Sequence, residues 1–420
     1  MIDLKKNFLI YGYGISGRSV SKYLNNKNSN YSIYDDYKNL TNLKNVIDKK
    51  IFKKKIENFD YIVVSPSIKI DREHLLYEYK KKIIIDLDFL SNELSNQLII
   101  GVTGTEGKST TCQYLNQVLS TKYQTTIIGN FGNTILDEIN LKNKLSKLDI
   151  IIIELSSYQL TKLRYLQLSY AIITNIYSDH LSYHVSFTQY VKAKFKIIRF
   201  LNIKGILILN REVFLNHSKN LNIINKDRVF KVNIIKNRKN YLEDNIQDLN
   251  SQLTEKIVKK IDKSISIKQI KFKNLPFRNQ LIKVNKKIRI YNDSKCTNLE
   301  NAILKNNLIS SKNKILILGG RPKPQDCKNI IKDTTVLIFG PFAKKISENI
   351  IFYNCRCFNF VSLSNLLIFI KMINKDFKFD TILFSPGGES FDLYNNFIDR
   401  GIAFNNLIKK LIEYSEPIRE

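Results

Sequence analysis

The stretch Gly101-Val-Thr-Gly-Thr-Glu-Gly-Lys-Ser-Thr-Thr111 follows directly on Leu98–Ile100. It reads as a strand that breaks into a glycine-rich turn and then into a helix opened by Lys108 and hydroxyl residues. Such a junction belongs to an α/β domain built on a parallel sheet. It is also what a polyphosphate requires. Gly104 and Gly107 let backbone N–H groups crowd around phosphate oxygens, and a helix N-terminus adds partial positive charge. Lys108 reaches the terminal phosphates and Ser109 is placed to hold Mg²⁺. The spacing departs from the full Walker pattern: Gly104 is too close to Gly107-Lys108 and Gly101 too far. The strand–helix context, rather than the spacing, carries the assignment.

Around this turn the chain alternates short apolar runs with helical stretches, which implies parallel sheets with helices on both faces. Strands are expected at 7–11, 31–34, 61–64 and 83–85. A second series follows at 98–102, 125–128, 149–154, 171–175 and 205–209. A third lies at 287–291, 314–318, 335–339 and 380–384. With 420 residues the chain exceeds one core. The expected fold class is α/β in three domains: Rossmann-like over 1–94, a P-loop ATPase-like parallel sheet over 95–274, and Rossmann-like over 275–420. Residues 255–261 read as helical, while 210–250 is polar and gives no clear pattern.

Composition narrows the function classes. No apolar run approaches the roughly 18 residues of a membrane span, and the start lacks the regions of a signal peptide, so a cytoplasmic protein is expected. The five cysteines are scattered and odd in number, which implies no disulfide framework. Cys355-x-Cys357 lacks a second pair and is not read as a zinc site. The net charge of +29 suits a nucleic-acid binder. The lysines run along the whole length with Asn and Ile, however, which favours biased composition over a binding face; no nucleic-acid partner is expected.

Gly12-x-Gly-x-x-Gly17, with Asp35 closing the next strand, fits a dinucleotide fingerprint. The same turn suits the diphosphate of a nucleotide-sugar, with Asp35 accepting from uracil or ribose, and the residues leave the two open. Glu154 ends a run of four isoleucines and is placed to bind Mg²⁺ beside the P-loop. His180, after Asp179, is either a second cation ligand or a structural histidine. Lys194 shares its helix with Lys192 and Lys196, and the pattern does not choose among them.

Together these pieces resemble the Mur ligases, ATP-dependent amide-forming enzymes of peptidoglycan precursor synthesis. The resemblance runs from Phe8 to about Phe404 and is weakest over 210–272. Its most specific parts are Gly104-Thr-Glu-Gly-Lys-Ser-Thr110, Gly129-Asn-Phe-Gly132, Glu154-Leu-Ser-Ser-Tyr-Gln-Leu160, Asp179-His180 and Ala193-Lys194. They continue with Leu275-Pro-Phe-Arg278, Asn292-Asp-Ser-Lys-Cys-Thr-Asn298, Leu318-Gly-Gly320 and Ser385-Pro-Gly-Gly-Glu-Ser-Phe-Asp392.

The resemblance implies roles. Gly104, Thr105, Glu106, Gly107, Lys108, Ser109 and Thr110 would hold ATP, joined by Arg278 and Asp293. Ser109, Glu154, His180 and a carbamylated Lys194 would ligate two Mg²⁺ ions, and Lys108, Glu154, His180 and Lys194 would form the catalytic set. Ile15, Ser16 and Asp35 would contact the uridine diphosphate end of UDP-N-acetylmuramoyl-L-alanine, and Asn130, Ser156 and Gln159 its muramoyl end. Lys295, Thr297, Lys323, Ser390, Phe391 and Phe397 match a D-glutamate pocket, and the Asn292-Asp-Ser-Lys295 and Ser390-Phe391-Asp392 pieces favour addition of D-glutamate. The alternative is a sibling Mur ligase, or a folylpolyglutamate-synthase-like ligase, using another amino acid. A monomer is expected. Glu106 departs from the family's usual Asn, Ser67 from Gly and Phe277 from His, and a His-Asn signature has degraded to Asp244-Asn-Ile-Gln-Asp248.

Overall fold

The computed structural model describes residues 1–37, 40, 43–129, 134–140, 145–233, 241–267, 270, 272–273, 275–283, 288–311, 313–323, 328–373 and 379–413. The chain forms two compact units: residues 1–236 with 245–272, and 237–244 with 273–420.

The first unit carries two parallel sheets. In the smaller, β1 (Phe8–Tyr11) lies between β2 (Tyr31–Tyr34) and β3 (Tyr61–Val64), and β4 (Ile83–Ile84) pairs with β3. The larger contains β5 (Leu98–Thr103), β6 (Thr125–Gly129), β7 (Ile150–Glu154), β8 (Leu168–Ile173), β9 (Leu201–Asn210) and β10 (Val229–Val232), in the order β10-β9-β8-β5-β7-β6. The chain leaves β5 for β6 and β7 on one side and then crosses to β8 on the other. That reversal opens a crevice beyond the carboxyl end of β5, where ligands bind in such sheets. Register brings Glu154 beside both Val102 and Gly129, and Ile173 beside Thr103.

The isoleucine run of β7 shows why these strands read as continuous rather than alternating. Ile151 and Ile153 pack into one core, Ile150 and Ile152 into the core on the opposite face, and all four are buried. Each contributes roughly 1.5–3 kcal/mol. The first of these cores also contains Phe8, Ile10 and Val20 around the small sheet, so both sheets share one apolar interior.

The second unit holds β11 (Gln280–Lys283), β12 (Arg289–Asn292), β13 (Lys314–Gly319), β14 (Asn329–Lys332), β15 (Thr335–Phe339), β16 (Ile350–Tyr353), β17 (Arg356–Phe360) and β18 (Thr381–Gly387). Its main sheet runs β11-β12-β18-β13-β15-β17, parallel except for β11, and β14 pairs with β16 apart from it. The expected strands are present with ends shifted by a few residues, the largest at β9, which begins at Leu201. The polar 210–250 stretch supplies a helix at Arg211–His217, then β10, then the start of a helix at Tyr241–Ile261.

Asp88 links the two sheets of the first unit. It is fully buried, and its carboxylate accepts from the backbone N–H groups of Ile85, Arg164 and Tyr165 at 2.8, 2.7 and 2.6 Å. Burial still outweighs these bonds and raises its pKa to about 6. Asp88→Ala strands three backbone donors and is expected to lower unfolding free energy by roughly 2–4 kcal/mol, measured by denaturant unfolding.

Candidate functional site

β5 ends at Thr103 and the chain turns sharply. Gly104 adopts φ +151°, and a Cβ there would lie 1.9 Å from Thr174 Oγ1; Gly107 is left-handed at φ +77°. Side chains after β8 hold the turn: Asn175 accepts from the Glu106 N–H at 2.8 Å, and Thr174 Oγ1 donates to the Glu106 carbonyl at 2.5 Å. Thr105 Oγ1 bonds Tyr190 Oη at 2.9 Å. The helix Lys108–Leu119 then begins, with Thr110 in its first turn.

Two ammonium groups meet at this turn. Lys108 Nζ donates to the carbonyls of Gly104 and Thr105 at 2.9 and 2.8 Å, and Lys194 Nζ donates to the same Gly104 carbonyl at 2.6 Å. Lys194 is 2% exposed. Burial drives its pKa well below the ordinary lysine value and Lys108 adds to the fall, while Asp179 and Glu154 oppose it. Glu154, also 2% exposed, accepts from Ser109 Oγ at 2.5 Å.

His180 sits at a left-handed φ of 56°. Its Nδ1 bonds Tyr158 Oη at 2.7 Å, and its Nε2 lies 3.3 Å from Asp179 Oδ2. The structure thus gathers Gly104, Thr105, Glu106, Gly107, Lys108, Ser109, Glu154 and Lys194 at the carboxyl ends of β5, β7 and β8, with His180 reached through Asp179. Among the described residues no group of three or more His, Cys, Asp or Glu side chains is arranged to hold a metal. The donors nearest the turn are the buried Glu154 carboxylate, the Ser109 hydroxyl and the Lys194 amine, with Asp179 and His180 beside them. They fit a hard cation such as Mg²⁺ once the amine gains carboxylate-like oxygens.

Ser156 and Gln159 cap the helix Ser157–Lys162 reciprocally: the Gln159 N–H donates to Ser156 Oγ, and Gln159 Oε1 accepts from the Ser156 N–H at 2.9 Å. In the small sheet, Gly17 lies against the Gly12 carbonyl, where a Cβ would approach to 2.2 Å. Asp35 clamps the same turn, accepting from the Tyr13 N–H at 2.6 Å and the Tyr37 N–H at 3.0 Å. Ile15 is exposed, and Ser16 hydrogen-bonds the buried Asp86. Asn130 lies outside the described residues.

In the second unit, Lys295 Nζ stands 4.2 Å from the ring centroid of Phe397, and its N–H donates to the Phe277 carbonyl at 3.0 Å. Phe277, with φ 61°, packs where a Cβ on Gly401 would stand. Asp293 is buried and ties three segments: it accepts from the Asn279 N–H at 3.1 Å, Lys305 Nζ at 2.6 Å and Ser385 Oγ at 2.9 Å. Paired backbone bonds between Arg321 and Glu389, both 2.8 Å, bring the stretch carrying Lys323 alongside the turn carrying Ser390. Ser390 is buried and Phe391 is 72% exposed. Thr297 precedes the helix Leu299–Leu308, and Arg278 lies in the turn before β11.

Sequence reasoning missed the residues that hold these groups. Asn250, on the helix Tyr241–Ile261, accepts from Thr111 Oγ1 at 3.1 Å, and its Oδ1 lies 2.5 Å from where a Gly107 Cβ would stand. Arg400 is fully buried and donates to Ser294 Oγ, Ser294 O and Gly388 O at 3.1, 2.7 and 2.9 Å, joining the turns after β12 and β18. An asparagine in a polar stretch and an arginine in an amphipathic helix carry no motif that marks them.

A family model described as the Mur ligase middle domain matches residues 102–276. UDP-N-acetylmuramoylalanine--D-glutamate ligase of Borreliella burgdorferi is 30% identical, with 96% of this chain and 98% of that protein covered. The like-named protein of Fervidobacterium nodosum is 30% identical, with 86% of each covered. Among solved structures, the MurF ligase of Thermotoga maritima in complex with ADP has a similar fold: TM-score 0.57 at 15% identity, with 99% of this chain and 100% of that chain covered. A pseudomurein peptide ligase type C from Methanothermus fervidus gives 0.54 at 17% identity over 97% and 100%.

His184 packs against this cluster, its Nε2 2.9 Å from Ser157 Oγ. Burial lowers its pKa to about 4, with Lys194 and Lys162 adding to the fall. The folded state holds it neutral, whereas the unfolded chain protonates it below about 6.5. Its contribution is therefore complete above pH 6.5 and lost as pH falls toward 4, by about 3 kcal/mol. Denaturant unfolding across that window is expected to show a smaller loss in His184→Gln than in the unsubstituted protein.

Proposed function

The chain belongs to the Mur ligase family of ATP-dependent, amide-bond-forming ligases, and we propose that within it this enzyme joins D-glutamate to UDP-N-acetylmuramoyl-L-alanine, releasing ADP and phosphate. The observation that carries the ligase reading is the convergence of Lys108 and Lys194 on the Gly104 carbonyl, beside the buried Ser109–Glu154 pair. The names of the full-length relatives support the choice of D-glutamate.

A carboxylate does not acylate an amine at neutral pH, because its oxygen is a poor leaving group. Activation solves this. A substrate carboxylate oxygen attacks the γ-phosphorus of ATP, the bond to ADP breaks, and an acyl phosphate results. The D-glutamate nitrogen then attacks the carbonyl carbon, loses a proton, and phosphate leaves. The first step brings two anions together, so the site needs fixed positive charge. Lys108, the N–H groups of the Gly104–Gly107 turn and the N-terminus of Lys108–Leu119 supply it. Ser109, Glu154 and a carbamylated Lys194, with His180 beside them, would hold Mg²⁺, which neutralises phosphate charge when bound. The low pKa of Lys194 supports carbamylation, since only the neutral amine takes up CO₂. In the second unit, Lys295, Thr297, Lys323 and Ser390 offer cationic and hydroxyl donors suited to the two carboxylates of D-glutamate, with Phe391 and Phe397 beside them. At the small sheet, the glycine turn at 12–17 would receive the diphosphate of the substrate. We place the reaction in the cytoplasm.

Phosphate release from ATP is expected to require both UDP-N-acetylmuramoyl-L-alanine and D-glutamate, read in single-omission assays. Release with another amino acid in place of D-glutamate moves the enzyme to a sibling reaction. Lys108→Ala is expected to reduce release by at least about 100-fold. Near-normal turnover in that variant removes the P-loop from the mechanism.

A further inference from the structure

Lys162 closes the short helix that follows Glu154, and nothing in the reaction above uses it. The helix points its last residue at the small sheet. Lys162 Nζ donates to the Pro66 carbonyl at 2.7 Å and to Tyr183 Oη at 2.5 Å, and lies 5.1 Å from the Tyr183 ring centroid. Both partners are neutral. Among the described residues no carboxylate lies within ion-pair distance of it. Lys162 is partly buried, and burial together with Lys196 lowers its pKa to about 7. Lys196 Nζ is itself bound to the neighbouring Thr161 carbonyl at 3.0 Å.

A lysine held this way is costly as a brace. An ammonium carries three N–H donors, and neutral oxygens do not offset the desolvation of its charge. Its place explains what does. Pro66 belongs to the turn after β3, and Ser65 Oγ in that turn donates to the Gly12 carbonyl at 3.4 Å. The Gly12 turn follows β1, so both turns lie at the carboxyl end of the small sheet, where a nucleotide's anionic groups are read. Lys162 thus reaches from the segment carrying Glu154 to the nucleotide end of the same unit.

We propose that Lys162 binds an anionic oxygen, phosphate or carboxylate, of the nucleotide-linked acid, and so acts as a specificity residue for that substrate. The proposal rests on the reaction assigned above. An anion at this junction supplies Lys162 with the opposite charge that its two neutral partners do not. The charged amine is then favoured, and the substrate is held between the two turns and the helix Ser157–Lys162.

The test is calorimetric titration of the full chain with UDP-N-acetylmuramoyl-L-alanine, UDP-N-acetylglucosamine and UDP, with ATP titrated separately. Lys162→Met is expected to weaken binding of the acid by about 10-fold or more, Lys162→Arg to stay within about 3-fold of the unsubstituted protein, and ATP affinity to hold. A loss shared by all three uridine ligands assigns the contact to a phosphate; a loss confined to the acid assigns it to the carboxylate. Equal binding by Lys162→Met, or parallel loss of ATP and acid with a lowered Tm, overturns the proposal in favour of a brace. As a check independent of folding, the acid is expected to protect Lys162 of the unsubstituted protein from acetic anhydride, read by mass spectrometry; unchanged acetylation overturns it. An unsubstituted protein that does not bind the acid at all sinks the assigned reaction itself, an outcome distinct from a lysine variant that binds normally.

Discussion

Two ammonium groups share one carbonyl oxygen at the end of β5, and the site is organised around that crowding. Lys108 arrives from the turn itself and Lys194 from a helix far along the chain, each within 3 Å of Gly104 O. Burial, and then the charge of Lys108 so close by, depress the basicity of Lys194. Two chemical routes relieve the strain: an anion bound at the turn, or conversion of one amine to a neutral or anionic group. Under the proposed reaction, nucleotide binding would take the first route and carbamylation of Lys194 the second. The same local electrostatics therefore favours both properties that a phosphate-activating enzyme needs.

The turn can bear this load because its backbone is fixed from outside. Gly104 occupies a conformation and a space closed to any side chain, with Thr174 directly against it. Thr174 and Asn175 bond the backbone of Glu106, and Asn250 presses on Gly107 from the other side. The bonds that Thr174 and Asn175 make to Glu106 run through its backbone, so they do not depend on the side chain at that position. In the second unit Asp293 and Arg400 do the equivalent work, each joining separate turns at the carboxyl end of the sheet. Preorganisation of this kind costs nothing at the moment of reaction.

What was legible came from local chemistry. The P-loop, the four isoleucines before Glu154 and the Gly12–Gly17 turn are contiguous, and each signals through spacing within a few residues. Buried parallel strands read clearly because both faces are apolar. The strands that escaped notice, β10, β11, β14, β16 and β17, lie at sheet edges or in the small two-stranded sheet, and are short. β17 is almost wholly exposed, so its sequence carries little burial pattern. The polar 210–250 stretch hid a strand and the start of a long helix for the same reason. A split at residue 94 is natural along the chain, yet the small sheet and the central sheet share one core, because apolar residues on both sides of that point face inward together.

By itself the sequence determined the fold class, the glycine-rich turn after β5 and the family, since glycine spacing, apolar runs and ordered motifs are properties of neighbours in the chain. Tertiary structure alone decided which lysine meets the turn after β5. Lys192, Lys194 and Lys196 lie on adjoining turns, and only packing turns Lys194 inward onto Gly104 while Lys196 meets Thr161. It likewise decided that Asp35 spends its carboxylate on the Gly12–Gly17 turn, and that Lys162 reaches the turn after β3. Those outcomes depend on groups distant in sequence meeting at low dielectric, where a contact's sign and strength are set by what else is buried beside it.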